Sequence, residues 1–220
     1  MSHLQLRAED GHTLSAYLAK PEGATRGAVV VVQEIFGITG HIERVAEQFA
    51  AQGYLAIAPA LFDRQERGVN LPYDDTGVAH GFTLARGAST AGLMADLNAA
   101  VAAVSHAGAV GMVGYCWGGR VVYMAGSRTN ITAGVAYYGG GIVDVLDPVP
   151  RCPMQFHFGE KDTHIPPADV QKIRAAFPQG EYHLYAAGHG FNCTDRGSYD
   201  ATAAYQALQR TLEFLGKHLG

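Results

Sequence analysis

The sequence lacks the features that direct a protein to a membrane or to nucleic acid. No apolar run approaches the roughly 18 uninterrupted residues that a membrane-spanning helix needs, and the first residues, MSHLQLRAEDGHTL, contain no apolar signal-peptide core. A basic stripe is also missing, since 16 Lys and Arg against 20 Asp and Glu give a net charge of -4. We therefore expect a cytoplasmic protein whose partners are neither membranes nor nucleic acids.

Cysteine is scarce, and its number excludes a secreted disulfide framework. The three cysteines are Cys116, Cys152 and Cys193. Three thiols cannot all pair within one chain, and so sparse a set is not typical of disulfide-rich domains. At least one thiol is therefore expected to be free.

The order of apolar and amphipathic segments predicts the fold class. The chain has 220 residues, 48% of them hydrophobic, and neither an internal repeat nor a linker divides it, so we expect one domain over residues 1-220. Short apolar runs alternate with segments of helical period, which predicts an α/β fold with a mostly parallel sheet and helices on both faces. GAVVVVQE has the pattern of a central, fully buried strand, and the segments around Asp10-Gly11 predict an antiparallel hairpin at the sheet edge.

One segment breaks this alternation. From Leu61 to about Gly87 the sequence is polar and interrupted by glycine and proline. Loops of this length in compact domains are usually functional. We predict a long loop that forms a wall or lid over a site.

The stretch GYCWGG, residues 114–119, predicts a reactive cysteine. It places Cys116 between a buried strand and a helix, with glycines two residues before and two after it. This is the pattern of a nucleophile elbow, in which Gly114 and Gly118 make room for a strained central residue. The amide end of the following helix favours a thiolate at that point. The alternative is a small core residue, as most free cysteines are.

An acid and a histidine follow the cysteine in the order that hydrolases use. Asp162 lies in HFGEKDTHIP and His189 in AAGHGF, each just after a predicted strand. Because active-site loops gather at the carboxyl ends of such strands, we predict a Cys-His-Asp triad. Taken singly, Asp162 is also consistent with a solvated turn and His189 with an exposed loop.

Glu34 is a further candidate, because it follows the central strand and its carboxylate is predicted to face the elbow. A buried carboxylate is costly without a partner. The alternative is a structural role, with the carboxylate satisfied by backbone amides or an arginine.

Four motifs resemble the dienelactone hydrolases (carboxymethylenebutenolidases) over almost the full length of the chain. They are QEIFG at 33–37, GYCWGG at 114–119, GEKD at 159–162 and AGHGF at 187–191. The resemblance implies an alpha/beta-hydrolase fold and the opening of a small lactone or ester through an acyl-enzyme, without metal or organic cofactor. It also implies roles for six residues: Cys116 as nucleophile, His189 as base, Asp162 as its orienting acid, Glu34 in activating the thiol, and the backbone amides of Ile35 and Trp117 as oxyanion hole.

The chain departs from the family where arginines hold a substrate carboxylate. Four residues after the histidine, where one arginine is expected, stands Cys193, and the nearest arginine is Arg196. Near the second position the closest arginine is Arg86. Carboxylate recognition is therefore either rebuilt from Arg86 and Arg196 or absent. We predict Arg86 and Arg196, together with Phe36 and Tyr138, as the substrate contacts.

The cysteine and histidine residues raise two alternatives to a cofactor-free hydrolase. In a redox-sensing or binding protein on this fold, Cys116 would be a reactive thiol without turnover, and Cys193 would resolve its oxidised form. A metal site is not predicted, because His157, His164 and His189 lack ligand spacing.

Overall fold

The computed structural model describes residues 2–220 and is built on one eight-stranded sheet. The strands are β1 (Ser2–Arg7), β2 (Thr13–Ala19), β3 (Ala28–Val32), β4 (Leu55–Pro59), β5 (Val110–Tyr115), β6 (Ala133–Tyr137), β7 (Met154–Gly159) and β8 (Glu181–Tyr185). The helices are α1 (Gly40–Ala51), α2 (Asp75–Gly87), α3 (Thr90–Val104), α4 (Trp117–Arg128), α5 (Pro167–Ala176) and α6 (Ala201–Leu219).

The sheet confirms the predicted topology. Its order is β1-β2-β4-β3-β5-β6-β7-β8, with β1 and β2 antiparallel at one edge and parallel pairing from β4 through β8. Every residue of β3 is buried, as its valine-rich sequence predicts. The carboxyl ends of β3, β5, β7 and β8 therefore meet at one edge of the sheet.

Helices cover both faces of this sheet. On β5, a side chain added at Gly111 would meet Leu215 and Leu219 of α6, whereas one added at Gly114 would meet Val122 of α4. Residues 111 and 114 point to opposite faces because side chains alternate along a strand. The predicted layering, with helices on both sides, is confirmed.

The prediction of a continuous loop from Leu61 to Gly87 is wrong for its second half, which forms α2. Asp74 begins this helix by accepting a hydrogen bond from the Gly77 amide at 2.9 Å. Gly81 of this helix is needed for packing, because a Cβ there would collide with the Ile35 carbonyl oxygen. The glycine thus allows α2 to approach the loop that follows β3.

Arg64 connects the loop between β4 and α2 to α3 and to the turn between β1 and β2. Its guanidinium donates two hydrogen bonds to the buried carboxylate of Asp96 on α3, both at 2.8 Å, and another to Asp10 at 2.7 Å. This arrangement fixes the start of the segment that leads to α2.

The structure gives the state of the cysteines and the length and apolar character of the helices. All three cysteines are free thiols, in agreement with the sequence. Between residues 2 and 220, no helix combines the length and the apolar character needed to cross a membrane.

Candidate active site

Cys116 lies at a sharp turn between β5 and α4. Its backbone has φ 55 and ψ -121, a left-handed conformation that is rare for a residue with a side chain. A Cβ at Gly114 would collide with the Gly118 carbonyl, and one at Gly118 with the Gln33 carbonyl. The two glycines therefore allow the turn to form and bring it against the end of β3.

Three side chains from the carboxyl ends of different strands form a continuous chain of contacts. The His189 Nε2 lies 3.1 Å from the Cys116 Sγ, and the His189 Nδ1 lies 2.8 Å from the Asp162 Oδ2. The other carboxylate oxygen, Oδ1, accepts a hydrogen bond from the His164 amide at 2.8 Å. Asp162 is buried. Because both of its oxygens have a partner, the carboxylate has a fixed orientation and can orient the imidazole.

The surroundings of His189 favour its charged form. Burial works against the charge, but the negative charge of Cys116 and the hydrogen bond to Asp162 outweigh it and raise the pKa of His189 to about 10. At neutral pH the imidazole is therefore protonated and paired with the sulfur. Gly190, with φ 76, leaves room beside it for the Arg196 guanidinium.

Glu34 is a buried carboxylate beside this triad. It follows β3, and its Oε1 lies 3.5 Å from the Arg196 Nη1. Burial raises the pKa of Glu34, while the charges of Arg196 and His189 act in the opposite direction. Within residues 2–220 neither carboxylate oxygen has a hydrogen-bond partner, so the backbone amides of the structural alternative do not hold it.

The backbone amides of Ile35 and Trp117 form the predicted oxyanion hole, which stays a prediction. Trp117 is the first residue of α4, so its N–H has no acceptor within the helix. Ile35 follows Glu34, and both Ile35 and Trp117 line the cavity that opens above Cys116.

That cavity has a volume of about 600 Å³ and combines apolar walls with guanidinium groups. Cys116 and His189 lie in its lining, and the apolar walls include Phe36 and, from α2, Val78 and Phe82. Arg86, Arg120 and Arg196 supply the positive charges. A site of this size and character suits a small, partly apolar molecule that carries negative charge.

The structure brings most of the predicted substrate contacts to this cavity, with one difference. Arg86, Arg196 and Phe36 line it, and the Arg196 guanidinium lies 5.6 Å from the Phe36 ring centroid. Tyr138 is fully buried, and its ring packs edge-on against His189 at 5.2 Å. Tyr138 therefore supports the imidazole from behind.

Among the basic residues of the cavity, sequence reasoning missed two, Arg120 and His164. Arg120 lies one helical turn after Cys116 and is paired with Asp144 at 3.3 Å. The spacing of four residues between Cys116 and Arg120 could have indicated that both face the same side of the helix. His164 packs edge-on against His189 at 5.0 Å. In contrast, His157 is fully buried away from the cavity and bonds to the Tyr185 hydroxyl at 2.7 Å.

Comparison with known proteins gives one consistent result. Residues 14–219 match the profile of the dienelactone hydrolase family. The chain is 33% identical to the putative carboxymethylenebutenolidase of Synechocystis sp., with 94% of this chain and 92% of that protein covered. It is also 33% identical to the carboxymethylenebutenolidase of Pseudomonas putida, with 96% and 94% covered. A putative dienelactone hydrolase from Klebsiella pneumoniae superposes with a TM-score of 0.86 at 28% identity, over 99% of this chain and 100% of that one.

Proposed function

The chain belongs to the dienelactone hydrolase family and is a hydrolase of esters or lactones, and from this premise we propose that it acts on small substrates through a thioester formed on Cys116. The observation that carries the mechanism is the unbroken contact from the Cys116 sulfur through His189 to Asp162. A thiolate paired with an imidazolium is ready to attack a carbonyl carbon.

The first half of the reaction forms the acyl-enzyme. The Cys116 sulfur bonds to the carbonyl carbon, and the carbonyl electrons move to oxygen, where the amides of Ile35 and Trp117 stabilise the charge. When this intermediate collapses, the ester C–O bond breaks and His189 gives its proton to the leaving oxygen. In a lactone the leaving group stays attached to the acyl chain.

The second half restores the enzyme. Neutral His189 takes a proton from water, and the hydroxide attacks the thioester carbon through the same oxyanion site. The C–S bond then breaks, which releases the carboxylic acid and returns the thiolate beside the imidazolium. Asp162 holds His189 in the required tautomer throughout.

Glu34 enters the mechanism through Arg196. This arginine both lines the cavity and pairs with the Glu34 carboxylate at 3.5 Å. An anionic substrate competes for the guanidinium, and Glu34 then becomes a buried carboxylate with a stronger tendency to hold a proton. We infer that Glu34 exchanges a proton with the catalytic thiol or imidazole when substrate binds.

Glu34→Gln tests this role. We expect kcat to fall roughly 100-fold, within the range for loss of a positioned acid or base. The pH profile of Cys116 alkylation by iodoacetamide should also lose the step that reflects ionisation of Glu34. Glu160→Gln, in an exposed turn, is the matched control. An alkylation profile identical to that of the wild type would reduce Glu34 to a structural role.

The cavity charges predict the substrate class. Three arginines around an apolar cavity favour small anionic lactones or esters over neutral ones. Arg86 offers the cleanest test, because Arg196 also pairs with Glu34 and Arg120 with Asp144.

Arg86→Ala should raise KM for anionic substrates by about 10-fold, the loss of one charge-assisted contact, and leave neutral esters almost unaffected. A panel of paired anionic and neutral esters and lactones measures this, with Arg174→Ala on the exposed face of α5 as control. Equal handling of both substrate groups by wild type and variant would mean that the cavity does not recognise a carboxylate and that the enzyme is a general esterase.

The redox-sensing alternative has no comparable support. Its resolving thiol, Cys193, is fully buried, and the family is one of hydrolases.

A further inference from the structure

Behind the catalytic residues lies a second buried group, here called the buried trio: Glu34, His41 and Cys193. Glu34 follows β3, His41 is the second residue of α1, and Cys193 lies in the loop after β8. Their exposed fractions are 1%, 3% and 0%. One ligand atom from each, a carboxylate oxygen, an imidazole nitrogen and the thiol sulfur, lies within 4.8 Å of the other two.

The trio contains polar atoms that the protein leaves without partners. Among the residues that the structure describes, the His41 Nε2 and both oxygens of Glu34 make no hydrogen bond. Burying such atoms unpaired costs free energy, so native proteins usually satisfy them with protein, water or an ion. The Glu34 Oε1 has only the Arg196 guanidinium at 3.5 Å, and the Glu34 Oε2 and the His41 Nε2 have no partner in the part of the chain that the structure describes. These atoms therefore point to a ligand that accepts lone pairs.

We propose that the buried trio binds a thiophilic divalent cation, with Zn²⁺ as the best match. Cysteine sulfur, histidine nitrogen and carboxylate oxygen are the ligands that zinc uses in proteins. Bond lengths of about 2.0 to 2.3 Å in a tetrahedral site place ligand atoms roughly 3.3 to 3.8 Å apart. Movements of about 1 Å or less bring the three atoms from their present spacing to that geometry.

The charges of the site agree with a divalent cation. Burial lowers the pKa of His41 to about 4, so its imidazole is neutral and can act as a ligand. Burial and the neighbouring Glu34 raise the pKa of Cys193 to about 11, so the cation must displace the thiol proton. Cys193 thiolate and Glu34 carboxylate then supply two negative charges, of which the Glu34 charge is shared with the Arg196 guanidinium. Of the other charged groups nearby, Arg196 pairs with Glu34, and Arg44 pairs with Asp195.

A second cavity reaches one member of the trio, His41. It has a volume of about 490 Å³ and is lined by His41 together with Arg44, Glu47, Asn192 and Thr194. This cavity is distinct from the one above Cys116. A cation can therefore reach His41 without passing through the substrate site.

Binding at the trio has a consequence for turnover, which rests on the proposed role of Glu34. A cation held by the Glu34 carboxylate removes that group from proton exchange with the triad. Zn²⁺ should then inhibit the enzyme from a position outside the substrate cavity.

The experiment separates the trio from the triad, because Cys116 and His189 also attract zinc. In the Cys116→Ser variant, titration with Co²⁺ should give a thiolate-to-metal charge-transfer band with one ion per chain, released by chelator. Zn²⁺ titrated by calorimetry should compete for the same site and bind more tightly as pH rises, because the thiol proton leaves.

Adding Cys193→Ser to that background should abolish the band, and His41→Phe should weaken Zn²⁺ binding by at least about 10-fold, the loss caused even by residues that only support metal ligands. Phenylalanine keeps a ring against Tyr115, which the His41 ring meets at 6.2 Å. Cys152→Ala is the control and should leave the band unchanged. Absence of the band in Cys116→Ser, or its persistence in Cys116→Ser/Cys193→Ser, overturns the proposal.

The regulatory consequence has a separate readout. With Cys116 intact, His41→Phe should raise the Zn²⁺ concentration for half-inhibition by about 10-fold, measured against each variant's own metal-free rate. If the trio binds Zn²⁺ but half-inhibition does not change, inhibition arises at the triad, and the proposed role of Glu34 fails while the metal site stands.

Discussion

Cys116→Ala should lower kcat by at least about 10,000-fold, the usual loss when a catalytic nucleophile is removed. The Cys116 sulfur lies 3.1 Å from the His189 Nε2, and alanine leaves no atom there to form the thioester. The fold should survive, because alanine and cysteine share the Cβ that the left-handed backbone at φ 55 must accommodate. Steady-state hydrolysis and thermal unfolding measure the two effects.

Cys116→Ser is the informative companion. The hydroxyl can occupy the same place, but it is not ionised at neutral pH and needs His189 to act as a neutral base. Loss of the sulfur's charge also removes one cause of the raised His189 pKa. We expect a trace of activity in this variant. Near-normal turnover in Cys116→Ala would end the assignment of Cys116 as nucleophile.

Asp162→Asn should lower kcat by about 1,000- to 10,000-fold. In the wild type the two carboxylate oxygens have different partners, the His189 Nδ1 and the His164 amide, each at 2.8 Å. Asparagine has only one oxygen. If that oxygen stays with the His164 amide, the side-chain NH₂ faces the His189 Nδ1 and forces the ring proton onto the Nε2. A protonated Nε2 cannot accept a proton from water.

The pH dependence distinguishes this explanation from simple loss of structure. Without the Asp162 charge the pKa of His189 should fall, so alkylation of Cys116 should become slower at neutral pH. Asp169→Asn on α5, which removes a carboxylate paired with Lys172 at 3.1 Å, provides the control. A loss smaller than about 10-fold, together with unchanged alkylation, would remove Asp162 from the triad.

The sequence predicted those parts of the site that depend on strand ends and local backbone. Cys116, Asp162 and His189 each follow a parallel strand, and parallel strands place their carboxyl ends at one edge. Their predicted convergence agrees with the geometry, although their catalytic roles stay predictions. The motif around Cys116 could be predicted because its glycines are required by contacts within a few residues and with the adjacent strand.

The parts that escaped prediction depend on contacts between distant segments. Gly81 of α2 resembles a loop residue in the sequence because its structural reason, a close approach to the Ile35 carbonyl, lies some 45 residues away in the chain. Tyr138 is predicted from the sequence to contact substrate. The sequence does not give the direction of its ring, which is set by packing against His189 and Phe191. The buried trio combines residues from three separate segments, and the sequence contains no metal-ligand spacing that predicts it.

The contact of Gly81 with the Ile35 carbonyl has a consequence for how this scaffold changes specificity. Because the helix backbone rests directly on the loop that carries Ile35, whose amide is proposed to stabilise the oxyanion, shifting α2 to admit a larger substrate is expected to displace that amide and slow the chemistry. New specificities are therefore expected to arise from exchanges at the cavity-lining positions Val78, Phe82 and Arg86, while the helix axis stays in place. Directed evolution on this enzyme should accept many residues at those three positions and almost none at Gly81.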